Sequence, residues 1–490
     1  MSILDSPLLT IARQVCAERK IRAWLVGGAV RDALFGRAIH DWDVVVERDA
    51  IPLARATANR LHADVYVLDA QLDMARVIAG DSLIDFARLR DDDLERDLAG
   101  RDFTINALAI DLDRPEQITD LFGGAKDLEE GVIRALGEDS LTGDPVRLLR
   151  AVRQAVSLSM AIDPQTAAWI KLHAGLIAKA PAERVRDELN KTLIEPDAAD
   201  SLLLLDALEL LSHVLPEVTA MQAVAQSPPH HWDVYEHTRR VVDALELIST
   251  RWLGFDQSDE AATMLPVIPG FVWDSLLLTL SPFSDAVRAH LSANSLWSLL
   301  KWAALLHDIG KPPVRTLDDD GRTRFLGHEG LGAQMAAERL RALRFSNAEI
   351  DRVTGIIGGH MRPPQLSEAP VTRRAIYRFF RDTHDYGIDI LLLSLADHLA
   401  THGPDVNLER WVARLGLMSE ILTAYFSQRQ EIVAPPPLIN GVEVMAALQL
   451  SPGRQVGTIL EAIREAQAAG EVTTKDEAID LARRVLAQLG

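Results

Sequence analysis

The sequence predicts an α+β protein whose mixed N-terminal head is followed by helical regions. Continuous apolar runs such as WLV and VVV are typical of strands buried on both faces, and they fall within residues 1–135. Beyond residue 135 apolar residues recur at helical spacing, so that Leu148, Leu149, Val152 and Val156 share one helix face. We therefore expect a sheet in the head and helices in the rest of the chain.

The elements of the head follow in order from residue 22. RAWLV predicts a strand, the double glycine a turn, AVRDALFGR a short helix and DWDVVVE a second strand, and ADVYVLD, MARVIAG and SLIDFARLR are further strand-like runs. Proline clusters at 228–229 and 435–437 predict two later boundaries, because proline disfavours helix in the residue before it. We expect four regions, namely 1–135, 136–225, 226–430 and 431–490.

The composition excludes several classes of protein. At roughly 100–200 residues per domain, a chain of 490 residues holds about three structural units. With 48% hydrophobic and 25% charged residues it can bury large cores, which excludes wholesale disorder and collagen-like repeats. Cys16 is the single cysteine, so neither an internal disulfide framework nor a cysteine zinc site can form, and a reducing, cytoplasmic setting fits best.

The charge and hydropathy patterns limit the partners. The chain has 51 Lys and Arg against 71 Asp and Glu, a net charge of −20, so it has no overall attraction to nucleic acid. Any RNA substrate must therefore meet a local basic patch. The N-terminal residues lack the order of a signal peptide, and no apolar run reaches the roughly 18 residues that span a bilayer. We expect no membrane association, and the sequence predicts no particular oligomeric state.

A glycine turn and two aspartates form the first chemical pattern. Gly27 and Gly28 lie between a strand and a helix, where backbone amides can approach a phosphate. Asp41 and Asp43 are two apart on a strand, so their carboxylates project from one face and can share hard divalent cations. Two such metals can bridge triphosphate oxygens and a 3′-hydroxyl. The alternatives are an ordinary tight turn and a solvated strand edge.

The order of motifs carries a family resemblance. GGAVRD, DWDVVV, RDFTINALAI, DLFGGAKDLEEGVIR and DPVRLLRAVR follow one another, and together they resemble the bacterial-type tRNA nucleotidyltransferases and poly(A) polymerases. The resemblance covers residues 22 to about 215. It implies that Asp41 and Asp43 are the catalytic, metal-binding carboxylates. It further implies nucleotide contacts from Gly27, Gly28, Arg31, Asp32, Arg101, Asp102, Asn106, Asp144, Arg147 and Arg150.

Base selection in this family uses protein side chains. Asp144 and Arg147, three apart on a helix, can present an acceptor and a bidentate donor to a base edge, although such a pair can also be a plain helix salt bridge. Two departures stand out: Gly143 precedes Asp144 where the family usually has Glu, and only RLRDDDLERDLAG follows Asp85-Phe86-Ala87 where many relatives have a long flexible loop. In the family a shortened loop accompanies loss of terminal A addition, so a CC-adding specialist is an alternative.

The central block contains a second pattern, of histidines and aspartates. Imidazole and carboxylate are good ligands for Zn, Mn, Fe or Ni, and such ions can activate water. The arrangement over residues 230–405 resembles the HD phosphohydrolase domain. By that resemblance the ligands are His237, His307, Asp308 and Asp397, with His328 and His360 at a second metal or at phosphate. A structural role for the same residues is the alternative.

Basic residues in two helical segments are candidates for RNA contact. ERVRDELNKTL offers Arg184, Arg186 and Lys191, and the segment after residue 437 resembles the tail of HD-bearing CCA-adding enzymes and offers Arg454. Solvated or packing faces of amphipathic helices are the alternative interpretation.

The expected activity is Mg²⁺-dependent nucleotidyl transfer from CTP and ATP to a tRNA 3′ end, with a second, HD-type phosphohydrolase site. A poly(A) polymerase is the alternative within the same chemistry. An HD phosphohydrolase with an RNA-binding head, and a non-enzymatic RNA-binding or sensor protein, are alternatives of other classes.

Overall fold

The computed structural model describes residues 6–37, 39, 41–80, 82–255, 268–367 and 370–489. The chain divides into two compact units. The first comprises Met1–Glu188 and Ala207–Val214, and the second comprises Leu189–Asp206 and Leu215–Gly490.

A seven-stranded sheet forms the centre of the first unit. Its strands are β1 (Ala23–Val26), β2 (Asp41–Val46), β3 (Asp64–Asp69), β4 (Met74–Ala79), β5 (Ser82–Arg88), β6 (Leu108–Asp111) and β7 (Ile118–Asp120). They lie in the order β3-β4-β5-β2-β1-β6-β7, and β2 is antiparallel to β1 but parallel to β5. The parallel pair places the start of β2 beside the start of β5.

Alternation along β1 and β2 assigns side chains to the two faces of this sheet. Leu25 and Val44 belong to a large core formed with the helices on one face, and Trp24 and Val45 belong to a smaller core on the other. Since Asp43 is two residues from Val45, its carboxylate lies on the face of the smaller core. Both β1 and the second half of β2 are fully buried, as the continuous apolar runs predicted.

Helices surround the sheet and continue the first unit. They are α1 (Pro7–Glu18), α2 (Gly28–Leu34), α3 (Ala50–Leu61), α4 (Leu94–Ala99), α5 (Gly124–Glu130), α6 (Glu138–Thr142), α7 (Val146–Ser157), α8 (Pro164–His173), α9 (Ala182–Ile194), α10 (Ala198–Ala207) and α11 (Leu211–Val214). Of these, α9 and α10 cross the limits of the two units. A short parallel pair, β8 (Val132–Ile133) and β9 (Ala161–Ile162), joins the end of the head to the helical part.

In its described residues the second unit is helical apart from one small hairpin. Its helices are α12 (Pro216–Thr219), α13 (Val234–Ile248), α14 (Gly270–Leu280), α15 (Ser284–Ser292), α16 (Leu296–Leu306), α17 (Lys311–Val314), α18 (His328–Ala342), α19 (Asn347–Gly359), α20 (Arg362–Leu366), α21 (Arg373–Thr383), α22 (Gly387–His402), α23 (Leu408–Ser427), α24 (Gly441–Leu448), α25 (Arg454–Ala468) and α26 (Lys475–Leu489). The hairpin is β10 (Thr316–Leu317) with β11 (Thr323–Arg324). Most of α22 is buried, and it packs against α13 and α19.

The predicted α+β class is confirmed: a sheet in the head is followed by a mostly helical body. The predicted helical parts differ in two details. The run LLLLDALELLSHVL is divided between α10 and α11, and the short strands β9 and β10–β11 interrupt the helices. Within the described ranges no helix is both long enough and apolar enough to cross a bilayer.

Candidate active site and metal centre

Two predicted carboxylates lie side by side on one face of the head sheet. Asp41 and Asp43 are exposed on β2 while Trp42 between them is buried, so both carboxylates lie on one face of the strand, where Asp43 lines a cleft. The register with β5 places Asp85 directly beside Asp43. Arg76 on β4 holds Asp85 with two hydrogen bonds, from Nε at 2.8 Å and from Nη2 at 2.7 Å. A third carboxylate therefore belongs to this face.

The charge of these carboxylates is only partly balanced. Partial desolvation in the cleft raises the pKa of Asp43 to about 6, and the neighbouring Asp85 and Asp41 act in the same direction, whereas Arg101 opposes them. Because adjacent carboxylates favour a cation between them, this donor set suits a hard divalent ion. Oxygen atoms of the three carboxylates do not, however, all lie within 4.8 Å of one another.

Gly27 makes the close approach of Arg101 to Asp43 possible. Its φ of +72° is one that side chains avoid, and a Cβ there would lie 2.8 Å from Arg101 Nη1 and 3.3 Å from Asp43 Oδ2. Arg101 also donates from Nη2 to Asp97 Oδ2 at 3.0 Å, which fixes the guanidinium above the glycine turn. A cation is therefore held beside the aspartates at the start of α2.

Several predicted nucleotide-binding side chains form one connected network. Arg31 pairs with both oxygens of Asp32 at 2.9 Å and donates to Asn106 Oδ1 at 2.9 Å. Asn106 donates to Asp102 Oδ1 at 2.8 Å, and Arg150 donates to Asp102 Oδ2 at 3.0 Å. Burial would raise the pKa of Asp102, but Arg150 and these hydrogen bonds outweigh it and hold the pKa below its usual value. Asp102 is thus engaged by protein groups and orients its neighbours.

The predicted base-selecting pair is also engaged by protein atoms. Arg184 donates from both Nη atoms to the two oxygens of Asp144, at 2.9 and 2.7 Å. Arg147 Nε lies 3.7 Å from Asp144 Oδ2, and its Nη atoms donate to three backbone carbonyls at 2.8 to 3.0 Å. One of these carbonyls belongs to Arg101, so Arg147 links the helix α7 to the residue beside the carboxylates of β2. Arg184 therefore competes with any other donor for the carboxylate of Asp144.

The other basic candidates are at the surface. Arg186 pairs with its neighbour Asp187 at 2.9 Å, and Lys191 and Arg454 are exposed. This arrangement suits contact with a polyanion but defines no pocket.

All six predicted ligands of the second unit come together. The ligand atoms of His237, His307 and Asp397 lie within 4.8 Å of one another, and so do those of Asp308, His328 and His360. They come from the ends or first turns of α13, α16, α18 and α19 and from the middle of α22.

Asp308 lies between the two groups of ligands. Its Oδ2 is 3.1 Å from His307 Nε2 and 3.7 Å from His237 Nε2, and its Oδ1 is 3.5 Å from His328 Nε2. On the far side His328 Nε2 is 3.3 Å from His360 Nε2. This geometry is typical of a carboxylate shared by two adjacent metal positions.

The tautomers of the histidines suit metal binding. His307, His328 and His360 each have Nδ1 within 2.7 to 2.8 Å of a backbone carbonyl three residues earlier. Since a carbonyl oxygen only accepts, Nδ1 carries the proton and Nε2 presents its lone pair to the centre of the group. Burial also lowers the pKa of His360 to about 4, which keeps that ring neutral.

Buried polar atoms in this group lack hydrogen-bond partners. In the part of the chain that the structure describes, His237 Nε2, His307 Nε2 and both oxygens of Asp308 make no well-directed hydrogen bond, although His237 Nε2 lies 3.0 Å from Asp397 Oδ1. The ammonium of Lys311 is 2.7 Å from Asp308 Oδ2 and provides the nearest positive charge. Unsatisfied buried donors and acceptors are rare in proteins, and here they are the ligand atoms themselves. The residues therefore fit one or two divalent metal ions.

Sequence reasoning missed three residues at these sites. Asp85 was seen only as a strand residue, although its register with Asp43 makes it a neighbour. His230 lies with its ring 4.9 Å from that of His237, and burial lowers its pKa to about 3; the HH pair before α13 was its only signal. Arg414 lines the cavity of the metal ligands, and no local motif marks it.

The fold and the two sites define a nucleotidyltransferase head joined to an HD metal centre. Three protein families match the chain. The family described as "Poly A polymerase head domain" matches residues 23–134, "Probable RNA and SrmB- binding site of polymerase A" matches residues 159–222, and "HD domain" matches residues 286–402. The chain is 36% identical to the A-adding tRNA nucleotidyltransferase of Deinococcus radiodurans, over 93% of this chain and 94% of the relative. It is 34% identical to the CC-adding tRNA nucleotidyltransferase of Thermus thermophilus, over 93% and 92%.

This chain belongs to the tRNA nucleotidyltransferase family. Solved structures support the same fold: a CCA-adding enzyme in complex with ATP superposes with a TM-score of 0.61 at 21% identity, covering 100% of this chain and 98% of the other. The CCA-adding enzyme of Thermotoga maritima complexed with tRNA gives 0.55 at 19% identity, covering 100% and 98%. The predicted family is confirmed, and the head and HD domain imply the use of divalent metal ions.

Proposed function

We propose that this enzyme transfers nucleotides from CTP and ATP to the 3′ end of tRNA and releases pyrophosphate. The observation that carries the proposal is the grouping of Asp41, Asp43 and Asp85 on one sheet face, beside the turn at Gly27. The A-adding and CC-adding relatives support tRNA as the acceptor and these triphosphates as donors. The reaction takes place in the cytoplasm, with tRNA and nucleoside triphosphates as partners.

In the head, Asp41 and Asp43 would hold Mg²⁺, which, when bound, supplies positive charge for the triphosphate and for the attacking hydroxyl. The Gly27 amide donates to the Leu108 carbonyl, so at this turn the amide of Gly28 and the guanidinium of Arg101 bind the phosphates. Arg31 and its network with Asp32, Asp102, Asn106 and Arg150 keep these groups in position. Catalysis of this type depends mainly on positioning and on charge stabilisation.

Base selection falls to Asp144 and Arg147. Cytosine and adenine each carry an exocyclic amine. The Asp144 carboxylate can accept a hydrogen bond from this amine once Arg184 has moved away. A wrong base edge would leave a partly buried charged group without its partner, which disfavours that base.

We assign four functional regions to consecutive segments of the chain. The head comprises residues 1–135, the helical neck and body with base selection 136–225, the HD region 226–430 and the tail 431–490. The tRNA body contacts Arg184, Arg186, Lys191 and Arg454, which offer local positive charge on an acidic protein.

A CC-adding specialist is the second candidate. The connection between β5 and the RDFTIN motif is short and contains the helix α4, where many members of the family have a long flexible loop. Separate supply of CTP and ATP distinguishes the two candidates.

In the HD region we propose metal-dependent hydrolysis of phosphoesters. His237, His307, Asp308 and Asp397 would hold one ion and Asp308, His328 and His360 a second, with Ni, Mn, Zn or Fe as the metal. Such ions, when bound, activate water. The oxygen of water forms the new bond to phosphorus, the ester bond breaks, and the leaving alcohol takes a proton.

The first experiment incubates purified protein with tRNA transcripts that lack the last one, two or three nucleotides of the CCA end. CTP and ATP are supplied separately, and the products are sized. Asp41→Ala with Asp43→Ala should slow addition by about 10³-fold, because charge stabilisation worth several kcal/mol is lost. Asp64→Ala, an exposed aspartate on β3 of the same sheet, is the matched control and should add nucleotides normally. Extension at the native rate by the double variant would refute the proposal.

The pattern of products then assigns the activity. Addition of CTP but never ATP identifies a CC-adding enzyme, addition of both identifies a CCA-adding enzyme, and long tails from ATP alone identify a poly(A) polymerase. His307→Ala tests the HD region separately. It should abolish metal-dependent phosphoester hydrolysis and leave nucleotide addition intact.

A further inference from the structure

The cavity of the HD metal ligands contains a guanidinium that comes from outside the HD match. Arg414 on α23 lines the same cavity as His307, Asp308 and Asp397. The matched HD region ends at residue 402, before α23 begins at Leu408. The cavity therefore combines the metal ligands with a positive charge supplied by a separate helix.

Neighbouring contacts hold Arg414 in place. Its Nη1 donates to Ser394 Oγ at 2.9 Å, and Ser394 lies one turn before Asp397 on α22. One turn before Arg414, the fully buried Trp411 stacks on His398 with ring centroids 5.7 Å apart and rings 15° from parallel. The indole of Trp411 also donates to Ser275 Oγ at 3.0 Å. Trp411 anchors this turn of α23, and the hydrogen bond to Ser394 Oγ holds the guanidinium in the cavity.

Among the described residues no carboxylate forms an ion pair with Arg414. In the described ranges no Asp or Glu oxygen lies within 4.0 Å of it, whereas Lys311 pairs with Asp308 at 2.7 Å and Arg324 pairs with Asp318. Burial lowers the pKa of Arg414, and Asp397 only partly opposes this effect. A half-buried cation without a counter-ion is unfavourable, so an anionic ligand in the cavity would be stabilised by it.

We propose that Arg414 binds the non-bridging oxygens of a terminal phosphate in this cavity and positions it against the metal ligands. The inference rests on the proposed hydrolysis of phosphoesters at this site. A guanidinium matches phosphate through parallel N–H donors, of which only one is engaged by Ser394. A phosphomonoester carries more charge than a diester, so Arg414 favours monoester ends.

The test uses the full chain loaded with Mn²⁺. Arg414→Met, Arg414→Lys and the control Arg410→Met, an exposed arginine one turn earlier on α23, are compared with the wild type. The measurements are bound metal by elemental analysis, the Kd of inorganic phosphate by calorimetry, and KM and kcat for p-nitrophenyl phosphate and bis-p-nitrophenyl phosphate.

Arg414→Met should bind metal normally but raise the phosphate Kd and the monoester KM by about 10- to 100-fold, as expected for loss of a charge-assisted hydrogen bond. The diester KM should rise less, Arg414→Lys should recover part of the loss, and Arg410→Met should match the wild type. These shifts in phosphate binding support the proposal even if the wild type hydrolyses neither ester, and in that case the proposed hydrolysis alone fails. Unchanged phosphate binding in Arg414→Met, or loss of its bound metal, overturns the role of Arg414.

Discussion

Replacement of Gly27 by alanine tests whether the glycine turn exists to bring Arg101 to the aspartates that we propose are catalytic. At φ +72° and ψ −141° an alanine would be strained, by about 1–3 kcal/mol. Its Cβ would lie 2.8 Å from Arg101 Nη1 and 3.3 Å from Asp43 Oδ2. Arg101 can relieve this contact only by leaving its position beside Asp43.

We expect two separable effects from Gly27→Ala. The free energy of unfolding, measured in urea, should fall by about 2 kcal/mol from backbone strain. Nucleotide addition to truncated tRNA, measured on protein that is still folded, should fall by about 10- to 100-fold, because one charge-assisted contact to the triphosphate is lost.

The matched control is Gly131→Ala at the end of α5. Gly131 also has a positive φ, +67°, but a Cβ there meets nothing within 4 Å. This variant should lose about 1–2 kcal/mol of stability from the left-handed backbone alone and add nucleotides at the native rate. If Gly27→Ala also adds nucleotides at the native rate, the glycine does not serve the position of Arg101.

Three further predictions concern other parts of the chain. Gly310→Ala should lower the metal content of the second unit and destabilise it by at least about 1–3 kcal/mol, because the new Cβ would overlap backbone atoms of α18. The control Gly330→Ala has open space around the new Cβ and should bind metal normally. Lys301→Met should lower the free energy of unfolding in urea by about 3–5 kcal/mol, since it leaves the charge of Glu246 without its ion-pair partner. Adding Glu246→Gln should restore most of the lost stability, and a double variant no more stable than the single one would contradict the ion-pair argument. Burial raises the pKa of Cys16 to about 12, so iodoacetamide at pH 8 should label it only after denaturation, and rapid labelling of the native protein would show that the thiol is accessible.

Local patterns in the sequence predicted the parts of the sites that local geometry determines. Asp41 and Asp43 lie on one strand face because alternation along a strand requires it. The histidines and aspartates of the HD region were found by their order, and the structure brings all six together.

Partners that lie far apart in the sequence were not predictable in this way. The pairing of β2 with β5 places Asp85 beside Asp43, and Arg184 of α9 reaches Asp144, which lies in the bend before α7 and not on a helix as its spacing from Arg147 predicted. Arg414 lines the cavity of the metal ligands because its side chain reaches Ser394 on α22 from another helix, which no spacing of residues indicates. Strand register and helix packing are set by the whole core, so single motifs do not encode these contacts.

The ligands of the HD centre are spread over helices that are distant in the chain, from α13 to α22. An ion bound there would act as a cross-link between these helices, since separating any two of them would dismantle its coordination shell. An ion that binds the folded state but not the opened forms lowers the population of those opened forms. The thermal resistance of the second unit would then follow the supply of metal in the cell.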